Sequence, residues 1–269
     1  ALQPADLGLR VTALDDAQPT IVVETSSGVM NDAMVDAVEK AAARMGLQPT
    51  PVLTWLANRM TIGARSVPYS LVTAIGPAAG GDATLARLLG DSSPPPIVLN
   101  EWAARDLQAA RGQTVDMEYY RWLDEGRLTT ARASFVVAGI VPMTGLAIDR
   151  RLAPDYPGIT SSDSVSSWDP PFPIDLKLVR PSDEDYWRRF RTSPKAFLPL
   201  TAGQALWRTR HGQITSIRLQ PATKGTAVSE LVSQLAADLT RAIPPDRAGF
   251  TVVDVRTEQT AASVGATDF

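Results

Sequence analysis

Residues 20–63 read TIVVETSSGVMNDAMVDAVEKAAARMGLQPTPVLTWLANRMTIG, and their pattern indicates the fold class. The β-branched start of this stretch, Ile21–Glu24, predicts a strand. Asn31 is a good helix N-cap, and apolar residues follow it at helical spacing until Gly46 ends the pattern. The residues from Val52 to Ile62 predict a second strand. The stretch therefore predicts a β-α-β unit.

The two ends of the chain carry similar patterns. SVPYSLVTAIG, residues 66–76, adds a strand to the first unit, and Pro68 favours an edge position because proline cannot donate a ladder hydrogen bond. Near the other end, residues 213–221 predict a strand, 227–243 an amphipathic helix and 250–257 (FTVVDVRT) another strand. Together the ends predict one α+β domain, a four-stranded sheet with two helices on one face.

The middle of the chain then becomes an insertion with its own pattern. DATLARLLG, residues 82–90, predicts a short helix, and Asn100 predicts the N-cap of another after a short strand. Alternating residues from Val115 onward and the run 131–142 (ARASFVVAGIVP) predict two strands joined by a hairpin around Gly126. The insertion is therefore expected to begin as a β-rich unit.

The insertion continues with an irregular segment, residues 144–181, which is rich in serine, aspartate and proline. After it, Ser182 and Asp185 predict a capping box at the start of a short helix. TAGQALWRTRHG predicts a further short helix that ends at Gly212.

Composition excludes several functional classes. The chain has 269 residues with 26 basic and 29 acidic side chains, so it has no basic excess with which to bind nucleic acid. The absence of cysteine excludes disulfides and thiolate ligands. No apolar run reaches the roughly 18 residues of a membrane span. We expect a soluble chain, or the soluble part of a membrane protein.

No motif points to catalysis or to a cofactor. Neither a phosphate-binding glycine loop nor a GxSxG elbow occurs. The single histidine, His211, stands at a predicted helix end without a patterned nucleophile, so we interpret it as a surface residue. The acidic residues between 149 and 185 are spaced too widely for a calcium loop. We therefore assign no catalytic residue, cofactor or metal.

Aromatic residues cluster between 168 and 207. Trp168, Phe172, Tyr186 and Trp187 are the candidate residues for a partner surface. Aromatic side chains on a long segment either mark such a surface or anchor the segment to its domain. The sequence leaves both interpretations open.

Several stretches resemble the periplasmic domains of MacB-like and FtsX-like ABC-transporter permeases. PIVLNEWAARDLQAARGQTVDMEY (96–119) and SFVVAGIVP (134–142) resemble two consecutive segments of those domains, and IVVETSSGVMNDAMVDAVEKA (21–41) resembles their start. WDPPFPIDLKLVRPSDEDYWRRFRTSPKAFLPL (168–200) resembles an insert of a bacterial subgroup, in which KAFLPL leads into a short helix and the strand ITSIRL (214–219). The likeness extends over nearly the whole chain.

The resemblance implies an architecture. Residues 1–80 and 213–269 would form a porter-like domain, and residues 81–212 would form an inserted, β-rich, Sabre-like domain with its long loop at 144–181. That loop departs from typical exporters of the family. The domain would lie between two transmembrane helices of a permease in the bacterial inner membrane, with both of its ends near the membrane.

The resemblance also implies a function. The domain would be non-catalytic and periplasmic, with ATP hydrolysed by a cytoplasmic ATPase that acts through the transmembrane helices. It would move relative to its permease dimer mate, and so drive export of a substrate or act on an envelope protein. One alternative is a periplasmic ligand-binding or envelope-assembly module without transport. A hydrolase that relies on His211 is a third class.

Overall fold

The structure, a computed structural model, describes residues 3–14, 19–90, 92–123, 125–222 and 228–243. Within these ranges the chain forms nine strands, six α-helices and several short 3-10 helices. The strands are β1 (Leu9–Leu14), β2 (Thr20–Thr25), β3 (Leu47–Ile62), β4 (Arg65–Ile75), β5 (Pro96–Asn100), β6 (Thr114–Trp122), β7 (Leu128–Val141), β8 (Ala196–Pro199) and β9 (Ser216–Pro221). The helices are α1 (Asp32–Arg44), α2 (Ala83–Leu88), α3 (Glu101–Leu107), α4 (Pro181–Phe190), α5 (Leu200–Trp207) and α6 (Val228–Ala242).

The strands form one sheet in the order β1-β2-β9-β3-β4-β8-β5-β7-β6, and β6 pairs again with β3. The six strands from β3 to β6 in this order therefore close into a ring, which we call the barrel. β1, β2, β9 and the first part of β3 form an open sheet, which with α1 and α6 we call the base.

Strand β3 belongs to both parts. Its first residues, from Leu47 to Val52, pair with β9 in the base, and its later residues pair with β4 and β6 in the barrel. The register against β6 shifts between Ala57 and Arg59, an irregularity of the kind that lets a strand bend. One strand thus connects base and barrel without a linker.

The base buries the apolar stripes of its two helices. Asn31 caps α1 by accepting a hydrogen bond from the Met34 amide at 2.9 Å. The helix then places Met34, Ala37, Val38, Ala41 and Ala42 in a core with β2, β9 and α6. Leu7, before β1, lies in the same core as Leu239 of α6, so the first and last described elements pack together.

The barrel has its own core. Residues of β3 to β8 point inward together with the apolar sides of α3 and α5. Trp207 at the end of α5 stacks on Trp55 of β3, with ring centroids 6.3 Å apart, and meets the edge of Tyr119. The closed ring leaves these strands few free edges, the usual advantage of a barrel.

The predicted mixture of helices and sheet is confirmed. The strand at Ile21, the helix capped by Asn31, the helix capped by Asn100 and the hairpin around Gly126 are all present. The predicted strand at 250–257 lies outside the described residues. The porter-like and Sabre-like assignments, with their boundaries at 80 and 212, stay predictions.

Three local predictions are wrong. β4 is an internal strand, although Pro68 itself stands before the pairing with β8 begins at Val72. The N-cap of α4 is Arg180 and not Ser182, because Pro181 occupies the first helical position, where no amide hydrogen is needed. The Asp183 carboxylate accepts from the Arg180 amide at 3.0 Å, so the predicted capping box of Ser182 and Asp185 is absent.

The helix predicted to end at Gly212 stops at Trp207, and a short turn from Thr209 to Gly212 follows it. Strands β1 and β8 had no prediction. β8 is four buried residues long, and it pairs in parallel with β4 and antiparallel with β5.

Candidate functional site

Three of the four predicted partner-surface residues are buried. Trp168, Tyr186 and Trp187 are each less than a tenth exposed. Trp168 and Trp187 meet edge to face with centroids 4.9 Å apart, and Trp168 also contacts Tyr69 of β4. In this structure these rings anchor the long loop to the barrel. A partner surface formed by them stays a prediction.

Hydrogen bonds also hold the irregular loop in place. The Tyr156 hydroxyl donates to the Thr54 carbonyl at 2.7 Å, and the Trp187 indole donates to the Ser162 carbonyl at 2.9 Å. The Glu184 carboxylate accepts from the amides of Val165 and Ser166. A segment with little regular structure is therefore fixed by the backbone of β3 and by side chains of α4.

Lys195, just before β8, is a buried cation in an aromatic cage. Its Nζ lies 4.8 Å from the ring centroid of Trp102 and 5.0 Å from that of Tyr186. It donates to the Pro68 carbonyl at 3.3 Å and lies 3.8 Å from Asp183. Burial lowers the pKa of Lys195 to about 8, against the attraction of Asp183.

Asp183 also links Lys195 to a second cation. Arg180 donates to Asp183 from Nε at 2.8 Å and to Asp106 of α3 from Nη2 at 2.7 Å. The bonds to Asp183 and Asp106 hold the pKa of Arg180 above its ordinary value, although burial opposes this. The four charges join α3, α4 and the residue before β8, so we interpret them as a structural network.

A buried ion pair lies between base and loop. Arg218 of β9 donates from Nη2 to Asp149 at 2.6 Å, and Arg151 donates to the other carboxylate oxygen at 2.9 Å. Burial opposes ionisation of Asp149, but Arg218 and Arg151 outweigh it and hold the pKa of Asp149 below its ordinary value. Nη1 of Arg218 has no hydrogen-bond partner among the described residues.

The most distinctive cleft is an aromatic groove of about 350 Å³. We define it by the five aromatic residues of its lining: Trp55, Tyr120, Trp122, Tyr156 and Phe172. Its floor is β3, one wall is the β6–β7 hairpin, and the other is the loop around residues 154–157 and 171–172. The turn after β2 completes the rim.

The charge of this groove is one-sided. Asp155 is the one acidic residue among its described lining residues, and no lysine, arginine or histidine lies among them. Asp155 makes no ion pair or hydrogen bond within the described part of the chain. The nearby Glu24 pairs with Arg10 at 3.1 Å. Burial, and secondarily the charge of Asp155, raise the pKa of Glu24 despite that pairing.

His211 lies in the turn after α5, and its ring contacts Arg210, with 3.2 Å between the two nitrogens. Among the described residues, no serine or carboxylate contacts its ring, and no group of three or more metal-ligating side chains occurs. In the same part of the chain, no helix has the length and apolar character needed to cross a membrane.

No protein-family model matches the chain, and no curated protein matches it either. Solved structures similar to it include the periplasmic region of MacB from Actinobacillus actinomycetemcomitans, with 12% identity, a TM-score of 0.41, and coverage of 85% of this chain and 82% of that one. A domain described as belonging to a permease protein from Porphyromonas gingivalis has 13% identity, a TM-score of 0.39, and coverage of 91% and 85%.

Sequence reasoning found one wall of the groove and missed the rest. Phe172 was among the predicted residues, and its ring lies 6.0 Å from that of Tyr120. Tyr120 and Trp122 alternate along β6 and so point to the same side, a signal that the sequence does contain. Trp55 and Asp155 join them only through the tertiary fold.

Proposed function

We propose that this chain is a non-catalytic periplasmic domain of an ABC-transporter permease. In this role it transmits ATP-driven movement from the membrane to an exported substrate or an envelope partner. The family resemblance of four separate stretches supports the proposal. ATP hydrolysis belongs to a cytoplasmic ATPase, and a second permease subunit is the dimer mate.

The proposed transmission of movement depends on one packing relationship in the base. Leu7 is buried in the same cluster as Leu239 and Ile243, so the first and last described elements form one body. Displacement of either end of the described chain then moves the base as a unit. β3 continues from the base into the barrel over 16 residues, about 50 Å of extended backbone, so the barrel follows. A rigid-body shift of this kind is a common switching movement.

The experiment uses the full-length protein that contains this chain. Because the chain has no cysteine, Arg127→Cys in the exposed β6–β7 hairpin introduces the chain's single thiol. We expect a membrane-impermeant maleimide to label it in intact spheroplasts, and the unlabelled protein to co-purify with an ATPase. Labelling only after the inner membrane is lysed, or purification without any ATPase, would overturn the proposal. Ala37→Cys, on the buried face of α1, is the matched control and should react only after denaturation.

A second candidate is a periplasmic ligand-binding module without transport. The aromatic groove favours it, since clefts of about 300–1,000 Å³ with apolar walls and a few polar groups are typical ligand sites. For such a module, the maleimide should still label Arg127→Cys in intact spheroplasts, but no ATPase should co-purify with the protein.

A further inference from the structure

We propose that the aromatic groove binds a small organic cation that carries an apolar group. This inference goes beyond the proposed function, because it concerns a ligand of the chain itself and holds with or without transport. It depends on the walls of the groove, on its charge and on its size.

The walls supply cation-binding surfaces. Five aromatic rings line one cleft, and Trp122 at its rim is 48% exposed, the highest value among the large apolar side chains described. The faces of such rings carry negative charge density and attract a cation within about 6 Å. The Trp55 indole N–H is already bonded to the Tyr120 carbonyl at 3.2 Å, so this ring is held in place and offers the groove its apolar surface.

The charge of the groove selects the sign of the ligand. Asp155 is the acidic residue of the lining, and no described basic side chain lies within ion-pair distance of it. Asp155 also borders a neighbouring cleft that contains four arginines, but these bind other groups. Arg10 pairs with Glu24, Arg151 with Asp149 and Arg191 with Asp163, and Arg150 donates to the Arg189 carbonyl. An anion in the groove would face this carboxylate without a counter-charge.

A neutral apolar ligand is also disfavoured. It would cover the Asp155 carboxylate and remove water from it without offering a partner, and burial of an unpaired charge is costly. A cation offers that partner and places its apolar group against the rings. The volume of about 350 Å³ is near the lower end for ligand pockets, so the ligand is small.

The experiment titrates the chain with benzyltrimethylammonium and follows binding by calorimetry and by tryptophan fluorescence, since Trp55 and Trp122 line the groove. Neopentylbenzene, in which carbon replaces the nitrogen, is the neutral isostere, and benzylsulfonate is the anionic probe. We expect saturable binding of the cation and at least about tenfold weaker binding of the isostere and the anion. Equal affinity for cation and isostere, or no saturable binding of the cation, would overturn the proposal.

Variants locate the site. Asp155→Asn should weaken binding of the cation about tenfold and should strengthen binding of the isostere, which then covers no charge, whereas Trp122→Ala should weaken both. Asp163→Asn is the matched control, because Asp163 is a fully exposed carboxylate of the same loop that lies outside the groove, and it should bind like the unaltered chain. An equal loss in Asp155→Asn and Asp163→Asn would contradict the assignment.

The binding result can be distinguished from an effect on folding and from the test of the proposed function. Asp155 is exposed and makes no hydrogen bond or ion pair with the described residues. Asp155→Asn should therefore unfold at the same temperature as the unaltered chain, even if Trp122→Ala is less stable. Binding is measured in solution, whereas the permease role is measured by labelling and co-purification in cells. Either experiment can therefore fail while the other succeeds.

Discussion

Arg218 of β9 and Asp149 of the long loop form an ion pair of 2.6 Å in which both side chains are less than a tenth exposed. The pair joins the base to the segment that leaves the barrel after β7. Arg151, which is half exposed, shares the carboxylate. Because a buried ion pair is costly to break on one side, this contact makes the junction between base and loop sensitive to a single substitution.

Asp149→Asn should lower the free energy of unfolding by about 3–5 kcal/mol, because it leaves the Arg218 guanidinium buried without its counter-charge. Urea denaturation measures the difference. Asp36→Asn, which removes an exposed ion pair with Lys40 on α1, is the matched control and should change stability by less than about 1 kcal/mol. Equal losses in the two variants would contradict the assigned role of the buried pair.

Acid should remove the contribution of the same pair. Arg218 and Arg151 lower the pKa of Asp149 in the folded chain despite burial, so the unfolded chain binds the proton more readily. The stabilisation is therefore fully present above the ordinary aspartate pKa of about 3.9 and is lost as the pH falls through the lower, folded-state value. Unfolding measured from pH 6 to 2 should show a shallower acid limb in Asp149→Asn. An equally steep loss of stability in acid in both proteins would show that Asp149 does not contribute to it.

Lys195 should make the free energy of unfolding depend on pH in the alkaline range. Burial lowers its pKa to about 8 from 10.5, so between these values the unfolded chain binds the proton that the folded chain has lost. Stability should rise with pH in this window, by at most about 1.4 kcal/mol per pH unit. The groups that face Lys195 are the carboxylate of Asp183, the more distant Arg180 and Asp106, and the rings of Trp102 and Tyr186.

Lys195→Met, which keeps an unbranched chain of similar length, should abolish that rise. Urea denaturation at pH 7, 8, 9 and 9.5 tests this. Higher pH is avoided because burial raises the pKa values of Tyr156 and Tyr186, and stability then falls as tyrosines ionise in the unfolded chain. A rise of the same size in Lys195→Met would assign the slope to another group.

Asn100→Ala should lower the free energy of unfolding by about 2–4 kcal/mol, more than the usual loss of a helix cap. The Asn100 side chain accepts from the Ala103 amide at 2.8 Å and donates to the Tyr186 hydroxyl and the Pro194 carbonyl, both at 3.0 Å. Asn31→Ala, at the half-buried N-cap of α1, is the control and should cost about 1 kcal/mol. Similar losses at both caps would show that the bonds to Tyr186 and Pro194 contribute little.

Local signals in the sequence predicted the elements that depend on local chemistry. Asn31 and Asn100 begin helices because an Asx side chain binds the third amide of the helix, a rule that needs no tertiary information. β8 has no comparable signal. Its four residues, from Ala196 to Pro199, are all buried and do not alternate, so only its pairing with β4 and β5 makes them a strand.

The candidate site depended still more on tertiary contacts. The groove brings together Trp55 of β3, Tyr120 of β6 and Phe172 of the loop, which lie far apart in the sequence. The sequence placed aromatic rings on the loop, but it did not distinguish the buried Trp168 from the groove-lining Phe172. That distinction follows from which ring meets β4 and which meets the hairpin.

Gly203→Ala should destabilise the chain, although alanine normally stabilises a helix by about 1 kcal/mol relative to glycine. A Cβ at Gly203 of α5 would overlap the Cβ of Ala74 in β4 and would lie 3.3 Å from the Trp207 ring, so the helix must move away from the barrel. We expect a loss of about 1–3 kcal/mol. The stack of Trp207 on Trp55 should loosen with it, which a change in tryptophan emission would report. Adding Ala74→Gly removes the clash, so the double variant should lose less than the sum of the two single losses, whereas additive losses would mean that the close approach is not the cause.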